Sequence, residues 1–584
     1  MDNIKNQWIK IIAEGLAKAA SAKGLSLEKI EKRIIVEHPP RPELGDLAFP
    51  MFPFAKDFKT APPVIAGLLA ESLGELEIGS VKTAGPYLNA FLDRAVVAGT
   101  LLKVVGEGAD AYGESDLLKN QKIMVEFSCP NTNKPLHLGH LRNDAIGESI
   151  SRILKASGAD IRKVNLINNR GVHICKSMLA YQKFGEGRTP ESSGIKGDHF
   201  VGEFYVRFNQ WSKEDPTAEE QAQEMLRMWE SGDAEVNKLW ETMNHWTIEG
   251  IKKTYESTGI SFDRYYYESD TYLSGRDEVM RGLEKAVFYK DKDGSIRLDL
   301  SDIGMDTKVM LRSDGTSVYM TQDLGTAIAR HADFPFDRLI YVVGAEQEYH
   351  FKVLFHALKK LGYSWAQMLY HLSYGMVNLP EGKMKSREGT VVDADDLLTS
   401  LSEMVKEEIL AKERADAVGD VDVTSSKIAL AALHYFLLQV SPYKDMVFNP
   451  KESLSFNGNT GPYLQYMSAR ICSILDKYEE RSVEFEAALV DSSLLNSDAE
   501  WELIKLVLSF PAQVKQAANE LNPSVVATYL YDTAKAFGRF YHDCPILGSG
   551  DKNLTCSRIA LTKAVLQVLK NGFDLVNIPF ISKM

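Results

Sequence analysis

The stretch KIMVEFSCPNTNKPLHLGHLR, residues Lys122–Arg142, decides the fold of this chain. It begins with an apolar strand pattern at Lys122–Phe127, passes through a turn-prone segment at Ser128–Asn131 and leads into a helical pattern at Leu141–Ala156. A strand, a loop and a helix in this order predict one unit of an α/β sheet. Backbone N–H groups at a helix N-terminus face outward and favour anions, so the start of the helix is a candidate binding site.

Two histidines, His137 and His140, lie three residues apart beside Gly139 at this point. A glycine allows a ligand to approach the backbone closely, and imidazoles can donate to phosphoryl oxygens as negative charge builds in a transition state. The stretch therefore predicts a site for a nucleoside triphosphate. In isolation, the same residues would also suit a zinc site or two core histidines.

Composition limits the classes of protein that the chain can belong to. At 584 residues it is too long for one hydrophobic core, and length alone suggests about three to four domains. There is no apolar run of membrane-spanning length and residues 1–12 lack a signal-peptide core, so we expect a cytoplasmic protein without membrane contact. Five scattered cysteines, without a CxxC or a His/Cys cluster, predict reduced thiols and no metal site.

The net charge is −13, which argues against an obvious nucleic-acid partner. Net charge is an average, however, and residues 557–584 form a locally basic segment. That segment contains one acidic residue, Asp574, and four basic residues, Arg558, Lys563, Lys570 and Lys583.

The chain divides into three predicted parts. Residues 1–112 are typical of a small α+β module, residues 113–400 of an α/β domain, and residues 401–584 of an all-helical domain. Within the middle part, the charged, Trp-rich residues 184–260 predict a helical insertion. The fold class is therefore an α/β Rossmann-type core with a parallel sheet, flanked by an α+β and an all-α domain.

The middle part repeats the pattern of strand, polar loop and helix. Strands are predicted at Ile161–Ile167 and Arg338–Val343, and the second ends in Gly344 and a polar loop before a further helix. Ligands collect at the carboxyl ends of parallel strands in such sheets. Ser317–Thr321 alternates as a strand, and Asp323 is predicted to cap the helix after it.

A basic loop with the sequence GKMKSREGT follows at residues 382–390. Its cations, Lys383, Lys385 and Arg387, could neutralise a triphosphate, and a solvated charged turn is the simpler alternative. A buried cation requires carboxylate partners, and a guanidinium pairs with them in fork geometry. The candidates at strand ends are Glu126 and Asp323, together with the hydroxyl of Tyr319.

Taken together, Pro-Asn-x-x-Lys-Pro-x-His-x-Gly-His-x-Arg after a buried strand resembles the HIGH signature of class I aminoacyl-tRNA synthetases. The version that begins Val-Glu-Phe-Ser-x-Pro-Asn resembles that of arginyl-tRNA synthetases. The loop at Lys383-Met384 resembles the second signature, KMSKS, but has Ser386 where that signature has its second lysine. The resemblance assigns the role of this lysine to Lys134.

The resemblance also implies roles for individual residues. Catalysis would use Lys134, His137, Gly139, His140, Lys383 and Lys385. ATP would be bound by Pro130, Asn131, His137, Leu138, Gly139, His140, Gly344, Lys383 and Met384. Arginine would be bound by Glu126, Cys129, Asn131, His137, Tyr319, Asp323 and Gln347. Cys129 stands where the family usually shows serine.

Residues 1–112 resemble the family's N-terminal additional domain, and residues 401–584 resemble its anticodon-binding domain. The tRNA contacts implied by the resemblance are Tyr463, Tyr466, Arg470, Arg558 and Lys563. Exposed aromatic side chains beside cations are typical of surfaces that stack unpaired bases. The implied partners are tRNA(Arg), L-arginine and ATP with Mg²⁺ as the substrate complex, with no tightly bound cofactor, and we expect a monomer.

The expected activity is therefore that of an arginine–tRNA ligase, whose arginyl-adenylate intermediate passes its acyl group to tRNA. Two alternatives stay open on the sequence. One is a different class I synthetase or another HxGH adenylyltransferase. The other is a non-catalytic, synthetase-derived tRNA-binding protein, although His137, His140, Glu126, Tyr319 and Asp323 are all intact.

Overall fold

The structure is a computed structural model, and it describes residues 1–73, 76–378, 380, 392–480 and 487–584. Lys383, Met384, Lys385 and Arg387 of the predicted basic loop lie outside the described residues. The first part of the chain forms a three-stranded antiparallel sheet and helices, which are α1 (Asp2–Ala22), α2 (Ile30–Arg33), β1 (Leu47–Pro50), α3 (Ala55–Phe58), α4 (Pro62–Leu73), β2 (Gly79–Ala84), β3 (Tyr87–Leu92) and α5 (Arg94–Gly108).

The middle part alternates strands and helices, as its sequence pattern predicts. In chain order its elements are β4 (Lys122–Glu126), α6 (Leu138–Ala156), β5 (Asp160–Ile167), α7 (Val172–Phe184), α8 (Pro190–Ser193), α9 (Gly197–Glu214), α10 (Thr217–Glu230), α11 (Ala234–Thr258), β6 (Arg264–Tyr267), α12 (Glu268–Glu284), β7 (Tyr289–Lys290), β8 (Ile296–Leu298), β9 (Lys308–Leu311), α13 (Tyr319–Asp333), β10 (Arg338–Gly344), α14 (Glu348–Lys360), β11 (Leu369–Tyr374) and β12 (Val377–Asn378).

The described residues after Asp393 are almost entirely helical. They form α15 (Ala394–Ala411), α16 (Ala415–Val418), α17 (Val421–Leu438), β13 (Met446–Val447), α18 (Pro450–Ser453), α19 (Gly461–Glu480), α20 (Asp498–Glu520), α21 (Ser524–Asp543) and α22 (Lys552–Leu575). The predicted fold class, an α/β core between an α+β and an all-α part, is thereby confirmed.

The core of the middle part is a parallel five-stranded sheet in the order β11-β10-β4-β5-β6. The strand order reverses between β4 and β10, because the chain builds one side of the sheet first and then returns to the other. In doubly wound sheets, ligands bind at the carboxyl ends of the strands beside such a switch point. Strand β4 leads directly into the stretch that contains His137 and His140.

The chain divides into two compact units. Unit 1 comprises Met1–Gly113, Met467–Gln513 and Tyr529–Asn571. Unit 2 comprises Glu114–Tyr466, Val514–Thr528 and Gly572–Met584, and it contains the whole parallel sheet.

The predicted helical insertion at residues 184–260 contains α8 to α11. Buried side chains such as Phe200, Phe208 and Met243 form its own core, and Trp211, Trp229, Trp240 and Trp246 belong to or pack against that core. Their helical spacing therefore reflects packing.

The start of α13 corrects two sequence-based expectations. Residues 317–321 do not form a strand, because α13 begins at Tyr319 with Val318 as its N-cap residue. Asp323 consequently lies in the second turn of the helix and is not its cap. The alternation of apolar and polar residues was too short to distinguish a strand end from the first turn of an amphipathic helix.

Helix α17 is long and apolar enough to cross a membrane, and it is the one helix of the described residues that meets this test. However, 67% of it is buried inside the structure, and Ser425 and His434 on it are buried together with its apolar residues. It is a core helix of unit 2.

Candidate active site

The loop after β4 lies at the switch point and has an unusual backbone. Ser128 and Cys129 both have positive φ values, 73° and 50°, which non-glycine residues adopt only when their surroundings impose them. The Ser128 N–H donates to Asn143 Oδ1 on α6 at 2.5 Å, and the Cys129 N–H donates to Asn165 Oδ1 on β5 at 3.1 Å. Asn168 Nδ2 in turn donates to the Cys129 carbonyl at 3.1 Å.

Asn143 connects three of the central strands. Its Nδ2 donates to the Val342 carbonyl of β10 at 2.7 Å and to the Tyr374 hydroxyl of β11 at 3.1 Å, while its Oδ1 accepts from Ser128 after β4. The side chain is buried, so its amide is satisfied entirely by protein groups. The switch point is thus held by buried asparagines that the sequence interpretation did not single out.

His137 and His140 form a reciprocal cap at the start of α6. The Gly139 N–H donates to His137 Nδ1 at 3.1 Å, and the His137 N–H donates to His140 Nδ1 at 3.1 Å. Because each Nδ1 acts as an acceptor, a neutral ring carries its proton on Nε2. Both rings can therefore donate through Nε2 to an anion at the N-terminus of the helix.

The two imidazoles are held in the neutral form. Burial and the nearby Lys134 cation lower the pKa of His137 to about 4. Burial also lowers the pKa of His140 well below its usual value, with contributions from His137 and Lys134. Gly139 permits this arrangement, because a Cβ there would lie 2.9 Å from His137 Cε1.

On the other side of the site, the carboxylate of Glu126 is paired within the chain. Glu126 ends β4 and forms an ion pair with Arg330 of α13, whose side chain is only 1% exposed. Burial raises the pKa of Glu126, whereas the Arg330 guanidinium opposes that rise. Glu126 was predicted from sequence as a carboxylate for a substrate guanidinium, and Arg330 as its partner was not anticipated.

Asp323 lies close enough to this pair to raise the pKa of Glu126 further. Its own carboxylate contacts His350 Nε2 in the first turn of α14 at 2.5 Å. Asp323 is also near Glu268, the first residue of α12, which is 7% exposed. Burial and the charge of Asp323 raise the pKa of Glu268 to about 7, although Arg170 acts in the opposite direction.

The sequence interpretation missed Glu268, Arg330 and His350. Glu268 follows the tyrosine-rich strand β6, and its position at the carboxyl end of a parallel strand was the available signal. Arg330 had no signal, since an arginine in the last turn of a helix is ordinary. The three carboxylates Glu126, Glu268 and Asp323 come from three separate chain segments.

The structure brings most of the other predicted residues to the same edge of the sheet. Tyr319 is one helical turn before Asp323, on the same face of α13, and is 73% exposed. Gln347 is exposed just before α14, and Gly344 is buried at the end of β10. Pro130, Asn131 and Leu138 flank the loop and cap described above, and the backbone of Asn131 bridges to Asn168.

One trio of described residues, Asp198, His199 and Asp395, has the spacing of metal ligands. The Lys196 Nζ lies 3.1 Å from Asp198 Oδ2 and 2.5 Å from Asp395 Oδ2, so an ammonium already occupies the point between the two carboxylates. A metal ion at this point would have to displace that ammonium, and the trio therefore does not fit a resident metal.

The residues predicted to contact tRNA have different surroundings. Tyr466 lines a cavity of about 260 Å³ in unit 2 together with Phe456, Lys412 and Arg414.

In unit 1, the Arg470 guanidinium lies over the Tyr541 ring at 4.2 Å, and Lys563 is exposed. Arg558 is instead buried, donating to Glu500 at 2.7 Å and to the Pro545 carbonyl at 2.9 Å. Tyr463 is half-buried.

Comparison with known families agrees with this geometry. A model described as tRNA synthetases class I (R), catalytic domain, matches residues 107–450. The arginyl tRNA synthetase N terminal domain matches residues 6–92, and the DALR anticodon binding domain matches residues 464–584. The parallel sheet with the histidine pair after its first strand is therefore the catalytic domain of a class I aminoacyl-tRNA synthetase.

Individual relatives narrow the class to one family. The chain is 57% identical to the arginine–tRNA ligase of Treponema denticola over 596 aligned positions, covering 100% of both chains. It is 53% identical to that of Treponema pallidum, again over 100% of both chains. The solved structure of the Thermus thermophilus arginyl-tRNA synthetase superposes with a TM-score of 0.76 at 25% identity, covering 98% of this chain and 100% of that chain. The chain belongs to the arginyl-tRNA synthetase family and is an arginine–tRNA ligase.

Proposed function

We propose that the edge of the sheet divides the reaction between two groups of residues. His137, His140 and Lys134 face the phosphates of ATP, assisted by the backbone of Pro130, Asn131, Leu138, Gly139 and Gly344. The observation that carries the proposal is the pair of neutral imidazoles with both Nε2 protons available at the start of α6. Donors fixed in this way stabilise charge as it develops on the α-phosphate.

The carboxylates of Asp323, Glu268 and Glu126, which we call the acidic group, would bind the guanidinium of arginine. Asp323, Glu268 and the Glu126–Arg330 pair place more carboxylate than cation at one point, and a substrate guanidinium would complete the charge balance. Tyr319 is on the face of α13 that carries Asp323 and can add a hydroxyl contact. Gln347, Asn131, His137 and the backbone of Cys129 are the candidates for the α-amino and carboxylate end of the substrate.

The reaction then requires no covalent enzyme intermediate. The arginine carboxylate attacks the α-phosphorus of ATP, the bond to the β-phosphate bridging oxygen breaks, and pyrophosphate leaves with Mg²⁺. A 3′-terminal ribose hydroxyl of tRNA(Arg) next attacks the acyl carbon, and AMP leaves. Lys383, Met384 and Lys385 remain candidates for the triphosphate on sequence grounds alone.

We assign the tRNA-binding role to residues 401–584, with residues 1–112 as a second tRNA-contacting domain and residues 113–400 as the catalytic domain. Tyr466 is the best supported single contact, because its cavity also contains Phe456 with the Lys412 Nζ 5.1 Å from the ring centroid. Tyr463, Arg470 and Lys563 stay in the proposal. We leave Arg558 out, because its guanidinium is committed to Glu500 inside unit 1.

Both groups of catalytic residues come from unit 2 of a single chain, which supports a functional monomer. ATP and tRNA are substrates of the cytoplasm, and we propose that compartment for the enzyme. The Lys196 ammonium lies between Asp198 and Asp395 of the trio that has metal-ligand spacing. We therefore propose that Mg²⁺ binds as part of the ATP complex and not at this trio.

The test is ATP–pyrophosphate exchange with each of the twenty amino acids, with and without tRNA(Arg). We expect exchange with arginine only, and we expect it to appear when tRNA(Arg) is added. In Asp323→Asn, the kcat/KM for arginine should fall by about 100-fold, because a charge-assisted contact to a buried cation is lost. The matched control is Asp333→Asn at the far end of α13, where the carboxylate accepts from the Tyr266 hydroxyl at 2.7 Å. Equal losses in the two variants would overturn the arginine pocket.

A further inference from the structure

A cluster of charged side chains connects the helical insertion to a segment just after the second signature loop. Lys196 Nζ, which precedes α9, lies 2.5 Å from Asp395 Oδ2 and donates to Thr254 Oγ1 at 2.5 Å. His199 Nε2 lies 2.9 Å from the same Asp395 oxygen, and the Thr254 hydroxyl donates to Asp395 Oδ1 at 3.0 Å. Asp395 is therefore held by three residues of the insertion.

The segment that contains Asp395 also pairs with the first signature. The Ala394 N–H donates to the Leu136 carbonyl at 3.1 Å, and the Leu138 N–H donates to the Val392 carbonyl at 3.1 Å. Asp393 lies directly opposite His137 in this short antiparallel bridge. The two hydrogen bonds thus flank the histidine that caps α6.

Asp393 gives the segment a second fixed point. Its Oδ1 accepts from the Asp395 N–H at 2.8 Å and from the Asp396 N–H at 3.2 Å, which caps α15. The position of Asp395 and the position of residues 392–394 are consequently linked through one helical turn. A shift of Asp395 would be passed to the backbone that pairs with His137.

We propose that Lys196, His199 and Thr254 are positioning residues of the activation step, so that the helical insertion holds His137 in place through Asp395. This inference rests on the proposed role of His137 in binding the phosphates of ATP. The ammonium of Lys196 is central, because it separates the carboxylates of Asp198 and Asp395. Without it, two like charges would repel and Asp395 would move away from the insertion.

The test compares Lys196 of the insertion with Lys176 of α7. Lys196→Met removes the ammonium but keeps the length of the side chain, and Lys196→Arg keeps the charge. The matched control is Lys176→Met, which removes a Lys176–Glu219 ion pair of 2.8 Å between α7 and α10 that does not involve residues 392–395. ATP–pyrophosphate exchange is measured with arginine and tRNA(Arg), together with the melting temperature.

In Lys196→Met we expect kcat to fall about tenfold or more, since small misplacements of catalytic groups are costly. The KM for arginine should stay within about twofold, because the carboxylates that pair with its guanidinium lie on other segments and His137 is one of four candidate contacts at the other end of the substrate. Lys196→Arg should recover most of the kcat, and Lys176→Met should keep it. Equal kcat in Lys196→Met and Lys176→Met, or a parallel rise in the KM for arginine, would overturn the inference.

A second pair of variants with smaller changes tests the inference if Lys196→Met does not fold. Thr254→Val removes the hydroxyl that contacts both Lys196 and Asp395 without changing the shape of the side chain. Thr247→Val on the same helix removes a buried hydroxyl that donates to the Met243 carbonyl. Thr254→Val should lower kcat about threefold, because the loss of one hydrogen bond has an effect of about that size. Thr247→Val should leave kcat unchanged. A wild-type enzyme without arginine-dependent exchange would instead refute the proposed function itself.

Discussion

The two sides of the active site are built in different ways. The phosphate side, Lys134 to His140, is one continuous stretch whose side chains cap a single helix. The guanidinium side is assembled from Glu126, Glu268, Asp323, Arg330 and His350, which lie on three helices and one strand. A local site can be recognised as a motif, whereas a site assembled from distant segments depends on the fold that brings them together.

The difference extends to charge. On the phosphate side, burial and the Lys134 cation keep both imidazoles neutral, and burial also lowers the pKa of Lys134. On the guanidinium side, burial also disfavours the charge of Glu126, but the Arg330 guanidinium opposes that effect and favours the carboxylate. The variants below test whether the two sides depend on their charges in these opposite ways.

The largest effect is expected from Arg330→Met. Removing the guanidinium leaves the Glu126 carboxylate buried and unpaired, which should lower the free energy of unfolding by about 3–5 kcal/mol. The loss should shrink as the pH falls, because an unpaired buried carboxyl takes up a proton. Denaturant unfolding at pH 5 and pH 8 measures both effects.

The control for Arg330→Met is Arg297→Met, which breaks a more exposed pair with Asp291 of 2.9 Å and should cost about 1 kcal/mol or less. The double variant Arg330→Met/Glu126→Gln should recover part of the stability, since no charge is left unpaired. Similar losses in the two single variants would show that Arg330 and Glu126 do not form a coupled pair in the buried interior.

His137→Asn tests the phosphate side. Asparagine is a good N-cap, so α6 should still form, whereas the Nε2 donor is lost and kcat should fall about 10²–10³-fold. Exchange kinetics with arginine and tRNA(Arg) measure this effect.

The same variant also tests how the stability of the protein depends on pH. The pKa of His137 is about 4 in the folded protein, below its usual value, so the folded state does not take up the proton that the unfolded state binds. Stability is therefore complete above about pH 6.5 and declines as the pH falls toward 4, by up to about 3 kcal/mol. His137→Asn should lose that part of the acid sensitivity, and an unchanged acid profile would contradict the neutral buried imidazole.

These contrasts explain what could be predicted from the sequence. The strand predicted at Lys122–Phe127, the helix that begins at the histidine pair and the parallel sheet follow from local patterns of apolar residues and turns. The structure confirms all three, with the strand ending at Glu126. Arg330 could not be predicted, because it lies in an ordinary helical sequence and meets the site only after the sheet has folded. Glu268 was missed because its one signal, the position directly after β6, depends on recognising a short tyrosine-rich strand. The start of α13 was misjudged because Ser317–Thr321 fits a strand period as well as a first helical turn.

Glu268→Gln should have a smaller, pH-dependent effect. The pKa of Glu268 is raised to about 7, so the carboxyl is protonated below that pH and cannot pair with a guanidinium. In the wild type, the KM for arginine should rise about tenfold for each pH unit below 7, and in Glu268→Gln it should be higher at pH 8 and nearly flat from pH 6 to 8. Steady-state exchange at several pH values measures the profile.

Glu278→Gln is the matched control, because Glu278 is on the same helix and equally buried at 7% but pairs with Arg281. Its KM profile should follow that of the wild type. A wild-type KM that is flat from pH 6 to 8 would remove Glu268 from the arginine pocket and leave Asp323 as the main carboxylate.

The smallest effect is expected from Cys129→Ser, although Cys129 lies between the two sides. Its backbone is fixed by Asn165 and Asn168, whereas the thiol contacts the Phe127 carbonyl only weakly at 3.8 Å. Burial and Glu126 raise the pKa of the thiol well above its usual value, so it stays protonated and unreactive. Serine has a similar size and the same backbone groups, so kcat/KM for arginine should change less than about threefold, which is within the effect of one modest contact. A tenfold loss would mean that the side chain itself, and not the strained backbone that carries it, contacts the substrate.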